Sequence, residues 1–196
     1  GLRTSLSVGA ASTLIALLLG GGVGLIAAYF GGRVDTVIMR IADLQLSFPA
    51  ILIALILVSI LGQGIDKIII ALVGVQWAYY ARTIRGTALV ERRREYIEAA
   101  TCLALSHRRI VFRHLLPNCT PPLIVVGTVQ VAHAIALEAT LSFLGLGDPS
   151  MPTWGQVLED GFRTGAVFLG YWWWVVSPGL LTTGLPTRVS GAGSGC

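Results

Sequence analysis

Hydrophobic residues run along this chain in blocks and do not alternate with polar ones. Counting histidine as neutral, residues 4–32, 44–65, 68–81, 114–137 and 164–187 carry no charge, in stretches of 29, 22, 14, 24 and 24 residues. A helix of about 20 apolar residues crosses the roughly 30 Å hydrocarbon layer of a bilayer. Four of the stretches reach that length alone. The 14-residue stretch is short, but Lys67 at its edge can lay its aliphatic stem along the helix and reach the headgroups. The pattern predicts an all-α polytopic transmembrane helical bundle with about five spans, forming a single domain over residues 1–196.

Small residues and chain breakers refine the picture. Gly20, Gly24 and Ala28 recur every four residues in the first span, a stripe that lets helix backbones approach closely in lipid. Packing within the chain is preferred here over a dimer contact. Gly31-Gly32 is expected to end that helix, because glycine adopts backbone angles other residues resist. Pro49 near the start of the second span predicts a break, since proline also biases Phe48 away from the helical region. Arg40 and Asp43 are three apart and pair if their stretch is helical; solvated, unpaired charges are the equal alternative.

Composition then excludes a soluble domain: 54% of residues are hydrophobic and 12% charged, against about 25% charged in soluble proteins. Cys102, Cys119 and Cys196 show neither metal-ligand spacing nor an even disulfide framework and are expected to be unpaired thiols. The chain opens on Gly-Leu-Arg, and its first block is too long and glycine-rich for a secretory signal peptide, so an upstream segment is expected.

The net charge of +4 is unevenly placed. Residues 82–114 hold eight of the 14 Lys and Arg against Glu91, Glu95 and Glu98, giving that stretch +5 and the remainder −1. Basic loops stay in the cytoplasm, which places 82–114 inside and, by parity, 33–43 inside and the Asp66-Lys67 link and 145–163 outside. Nucleic acid or anionic lipid binding by the basic run ranks below this topological role. A connection of 33 residues exceeds what a turn needs and is expected to be a docking segment.

Glu138 is the notable charge at membrane depth. Such a group marks a transport pathway or makes a structural hydrogen bond to a neighbouring helix, and both readings stay open. His133 is off its helical face and is not paired with it. Tyr171, Trp172, Trp173 and Trp174 fit an interfacial aromatic belt that Trp154 can join. There is no phosphate-binding G-x-x-x-x-G-K-[ST] loop, no H-E-x-x-H and no serine elbow, so no catalytic or metal-ligating residue is assigned and nucleotide energy has to come from another chain.

Between the third and fourth spans the chain reads Glu95-Tyr96-Ile97-Glu98-Ala99-Ala100 and, further on, Arg113-His114-Leu115-Leu116-Pro117-Asn118. This resembles the EAA loop, with its trailing Leu-Pro, of permease subunits of bacterial ATP-binding-cassette importers. Ala28-Tyr29-Phe30-Gly31-Gly32, Phe48-Pro49, Tyr80-Ala81-Arg82 and Leu141-Ser142-Phe143-Leu144-Gly145-Leu146-Gly147 are similar to the dipeptide, oligopeptide and nickel branch, so the likeness covers roughly residues 3–179.

The resemblance implies a permease subunit in the bacterial plasma (inner) membrane, translocating peptides or a related small solute such as nickel by rocking of packed helices. It implies a second permease subunit, two ATP-binding subunits and an extracytoplasmic solute-binding protein as partners, with ATP on a partner and no cofactor on this chain. The coupling loop, residues 82–117, would dock on the ATPase through Glu98, Ala99, Ala100, Ala104, Leu116 and Pro117. Two departures stand out. Ala104 occupies the family's glycine position, at a cost of about 1–2 kcal/mol if a positive φ is required there. Residues 180–196 form an atypical, polar and helix-breaking tail in place of an apolar helix. A truncated or frameshifted nonfunctional permease fragment is the competing expectation, and an intramembrane hydrolase ranks below both.

Overall fold

The first uncharged block forms one uninterrupted helix, α1 (Leu2–Phe30), in the computed structural model, which describes residues 2–102, 109–148, 152–166, 168–177 and 179–180. The helix stops where the glycine pair predicts. Gly31 and Gly32 have φ of 63° and 54°, values that strain any residue bearing a Cβ. Next comes α2 (Gly32–Leu46), which carries Arg33, Asp35, Arg40 and Asp43 and so is helical but only partly apolar. It ends at Ser47, whose hydroxyl donates to the Asp43 carbonyl at 2.8 Å. Pro49 then opens α3 (Ala50–Leu61), and the two helices are bent by 94°, so the proline break falls inside the second block.

The third helix to follow is longer than its uncharged window: α4 (Ile65–Glu91) is 27 residues. Its last turns absorb Arg82 and Arg85, so the expected 33-residue connection begins inside a helix. A three-residue turn at 92–94 leads to α5 (Glu95–Cys102). A π-helical turn (Ile110–Leu115) enters α6 (Leu116–Leu141), and a second π segment (Ser142–Leu146) leaves it at Gly145, whose φ is 78°. The amphipathic helix α7 (Trp154–Arg163) follows, its N-terminus capped by the Thr153 side chain and the reciprocal Gln156 contact.

Among the described residues two stretches, Arg3–Phe30 and Arg113–Leu146, are long and apolar enough to cross a membrane, and the bent α2–α3 pair is a third candidate. The fifth expected block is described only as far as residue 180, with short turns and a helical stretch at 173–177, so its last seven residues lie outside the described residues. Helix α3 has apolar residues on every side: Ala54 and Val58 are buried while Leu52, Ile56 and Ile60 are exposed, as hydrocarbon surroundings permit.

The chain packs as two units. Unit 1 comprises Gly1–Ile15, Pro49–Val75 and Gly127–Cys196; unit 2 comprises Ala16–Phe48 and Gln76–Val126. The core of unit 1 gathers Val8, Val58, Ile68, Leu72, Val75 and Leu141. In unit 2 the small-residue stripe does what was expected of it within the chain. A side chain on Gly20 or Gly24 would overlap the backbone of α4 at Trp77 or Ala81, so only glycine lets α1 and α4 come this close.

Candidate functional site

The segment that resembles a coupling loop lies in unit 2. Helix α5 begins directly after the turn at 92–94, and Ile97 and Ala100 pack against Ile110 of the π-helical turn. The small Ala100 side chain therefore serves contact inside the loop. Glu98 and Ala99 lie on α5, and their side chains, like Ala104, are outside the described residues. Leu116 and Pro117 open α6, the first half-buried and the second exposed.

Polar contacts tie this segment to its neighbours. The Tyr96 hydroxyl donates to Glu91 Oε2 at 2.7 Å and accepts from Asn118 Nδ2 at 2.9 Å. Asn118 also donates to the His114 carbonyl at 2.8 Å, so the Leu-Pro-Asn end of the motif meets the EAA end at one oxygen. Partial burial, with the Glu91 carboxylate as a further cause, holds the Tyr96 phenol above its ordinary value of 10.0. Arg92 reaches back to α1. Its Nη1 donates to the carbonyls of Ala28 and Tyr29 at 3.1 and 3.0 Å, and its guanidinium lies 5.8 Å from the Tyr29 ring centroid. Those carbonyls belong to the last turn of α1, where carbonyls at a helix end can accept from side chains and the guanidinium can lie over an aromatic ring.

Beside them, α4 and α2 are joined by charge. Arg85 forms a bidentate pair with Asp35, Nε to Oδ1 and Nη2 to Oδ2 both at 2.6 Å. The guanidinium holds the Asp35 carboxyl below its ordinary 3.8 and the carboxylate raises Arg85 in turn. Of the two readings left open for Asp43, a pair with Arg40 or a solvated charge, the structure shows neither: Arg82 reaches Asp43 across from α4. Trp77 Nε1 donates to Gln45 Oε1 at 2.7 Å along the same seam. These partners are 32 to 50 residues apart in sequence, so no local spacing could reveal them. The available signal was coarser. The two segments assigned to one side of the membrane, 33–43 and 82–114, hold complementary charges and meet in the structure.

Glu138 lies in unit 1. It is 1% exposed; Oε1 accepts from Ser142 Oγ at 2.8 Å on its own helix, and Oε2 has no hydrogen-bond partner among the described residues. The described contacts thus place its bond one turn along the same chain, where a neighbouring helix had been considered. Around Ser142 the packing is tight, since a side chain on Gly155 would collide with the Ala139 carbonyl and the Ser142 Cβ. Nearby, Gln63 Nε2, at the end of the second uncharged block, donates to the Gly145 carbonyl at 2.9 Å.

Trp154 departs from the expected belt. It is 7% exposed at the start of α7, its backbone amide directed at Ser5 Oγ, whereas Trp172, Trp173 and Trp174 are open, and the Trp173 ring meets those of Tyr171 and Trp172 edge-on. An indole in a belt needs a free face, which this buried one lacks. Among the described residues Cys102 is an exposed and Cys119 a buried free thiol; Cys196 lies outside them. A cavity of about 480 Å³ in unit 2, lined by residues such as Leu18, Leu25, Ile84, Val111 and Leu123, is almost wholly apolar and offers a polar solute no purchase. No three His, Cys, Asp or Glu side chains among the described residues are grouped to hold a metal ion.

Comparison with known proteins gives these elements a context. The chain is 40% identical over 184 residues to a putative peptide transport system permease protein of Brucella suis biovar 1, covering 93% of this chain and 61% of that protein. It is 38% identical over 161 residues to the glutathione transport system permease protein of Pectobacterium atrosepticum, covering 82% and 54%. The dipeptide transport system permease protein of Bacillus subtilis is 37% identical over 179 residues, covering 91% and 55%. The chain thus spans between about half and three fifths of the length of these curated relatives. The fold is similar to that of a chain in inward-facing conformations of the MetNI methionine ABC transporter, with a TM-score of 0.80 at 20% identity over 98% of this chain and 91% of that one. Residues 20–184 match the family described as binding-protein-dependent transport system inner membrane component, and with most of its length inside that match the chain belongs to this family of helical membrane proteins.

Proposed function

We propose that this chain is the permease subunit of an ATP-driven importer of peptides, and that its α5 docks on a separate ATPase subunit at the cytoplasmic face. The observation that carries the reading is α5 itself, a short helix bearing Glu95-Tyr96-Ile97-Glu98-Ala99-Ala100, folded against its own π-helical turn inside the family match. The relatives' names favour peptides over nickel as the solute. A second permease, two ATP-binding subunits and an extracytoplasmic solute-binding protein complete the assembly, with ATP bound and hydrolysed on the partner. The Asp35–Arg85 pair supports placing 33–43 and 82–114 on one side, and the excess of arginine in 82–114 supports that side being the inner one.

Co-purification with a candidate ATPase subunit tests the reading. Wild type captures the ATPase and Glu98→Arg does not, because the substitution reverses a charge on the helix that docks. Absence of capture by the wild type, or capture unchanged in Glu98→Arg, overturns the assignment of α5.

A further inference from the structure

A helix that docks on a motor must pass motion on, and α5 is joined to α4 only by the turn at 92–94. A turn of that length transmits pulling but leaves a short helix free to pivot. Apolar contacts such as Ile97 and Ala100 on Ile110 have no preferred direction and allow sliding. Hydrogen bonds are directional and resist it. In unit 2 these bonds converge on one atom, the Tyr96 hydroxyl, which donates to Glu91 Oε2 near the end of α4 and accepts from Asn118 Nδ2 near the start of α6. A hydroxyl has the one donor and the acceptor capacity that both bonds need. The adjacent Arg92 extends the linkage to α1 through the Ala28 and Tyr29 carbonyls.

We propose that Tyr96 is a positioning residue whose hydroxyl, clamped between Glu91 and Asn118, locks α5 to α4 and α6 so that movement of α5 reaches α1 through Arg92. The inference rests on the docking of α5 proposed above, and adds a role for residues outside the docking set. A phenol, ordinarily near 10.0, keeps its donor proton throughout the physiological range.

The test uses the chain co-expressed with its ATPase and second permease and reconstituted in lipid vesicles. A bimane fluorophore is placed on Leu18→Cys, an exposed α1 position in unit 2, with Cys102 and Cys196 replaced by serine. Adding ATP shifts the bimane signal in the wild type. In Tyr96→Phe the ATPase is captured as before and the ATP-dependent shift falls about tenfold, the scale expected for losing a bond to a charged group. Glu91→Gln keeps a neutral acceptor for the hydroxyl and retains most of the shift, a rescue that a merely structural role does not predict. Should Tyr96→Phe fail to fold, Asn118→Ala opens the clamp on its α6 side while leaving the Glu91 bond, and the ATP-dependent shift is then expected to fall by a smaller factor of about threefold. A full shift in the folded variant overturns the proposal, as does loss of capture together with the shift. A wild type that captures no ATPase overturns the docking reading first.

Discussion

Unit 1 and unit 2 handle polarity in opposite ways. In unit 2, charges are matched across helices: Arg85 with Asp35, Arg82 with Asp43 and Arg92 with the open end of α1. In unit 1, the polar groups are mostly uncharged and local, with Thr153 capping α7, Gln156 Nε2 donating to the Asp148 carbonyl at 2.5 Å and Ser142 bonding Glu138 one turn away. Charged forks reach over long side chains and tolerate spacing between helices, whereas short caps and glycine contacts hold elements in direct touch. Both units have tight glycine contacts, at Gly20 and Gly24 in unit 2 and at Gly155 in unit 1, but unit 2 adds charged links between helices where unit 1 keeps a buried carboxyl.

Substitutions sharpen this contrast. The largest effect is expected from Gly24→Leu, which forces a side chain into the Ala81 backbone; overpacking of this kind costs about 3 kcal/mol or more and should abolish the folded species in detergent thermal melts. Gly155→Leu is the matching change in unit 1 and should be as severe.

Next is Arg85→Ala. It strands the Asp35 carboxylate, whose side chain is 16% exposed, and should lower stability by about 1.5–3 kcal/mol. Asp35 titrates below its ordinary 3.8, so the pair's contribution is complete above that value and disappears as pH falls through the lower folded-state value. Melting midpoints followed from pH 5 downwards should show that loss in the wild type and not in Asp35→Asn. A flat wild-type profile contradicts the link between charge and unit 2.

Ser142→Ala takes from Glu138 its described hydrogen bond and is expected to cost about 1–2 kcal/mol, measured as a shift in unfolding midpoint. The smallest effect is Thr153→Ala, about 1 kcal/mol from loss of the α7 cap, read as faster amide exchange confined to residues 154–157. If that exchange spreads into unit 2, the division between the units is weaker than the packing implies.

Much of this was legible beforehand. The blocks at 4–32 and 114–137 became α1 and most of α6, the Gly31-Gly32 pair stopped α1 and Pro49 split the second block, because each depends on backbone rules that act over a few residues. The stripe at Gly20 and Gly24 was readable as packing for the same reason. What failed was anything that needed a partner. Asp43 chose Arg82 over Arg40, Trp154 turned inward, and the basic segment was read as a loop although its first ten residues complete α4. Uncharged windows mark where a membrane can lie, and helices continue past them.

By itself the sequence determined that the chain is helical, membrane-embedded and similar to a permease, since hydrophobic block length, breakers and a short motif are properties of consecutive residues. Only the tertiary structure decided that Tyr96, Glu91 and Asn118 share one hydrogen-bonded joint, that the arginines of α4 hold α2 and that Glu138 turns to Ser142. These depend on which helix faces bring side chains distant in sequence within about 3 Å, a distance at which hydrogen bonds form and which no linear spacing encodes.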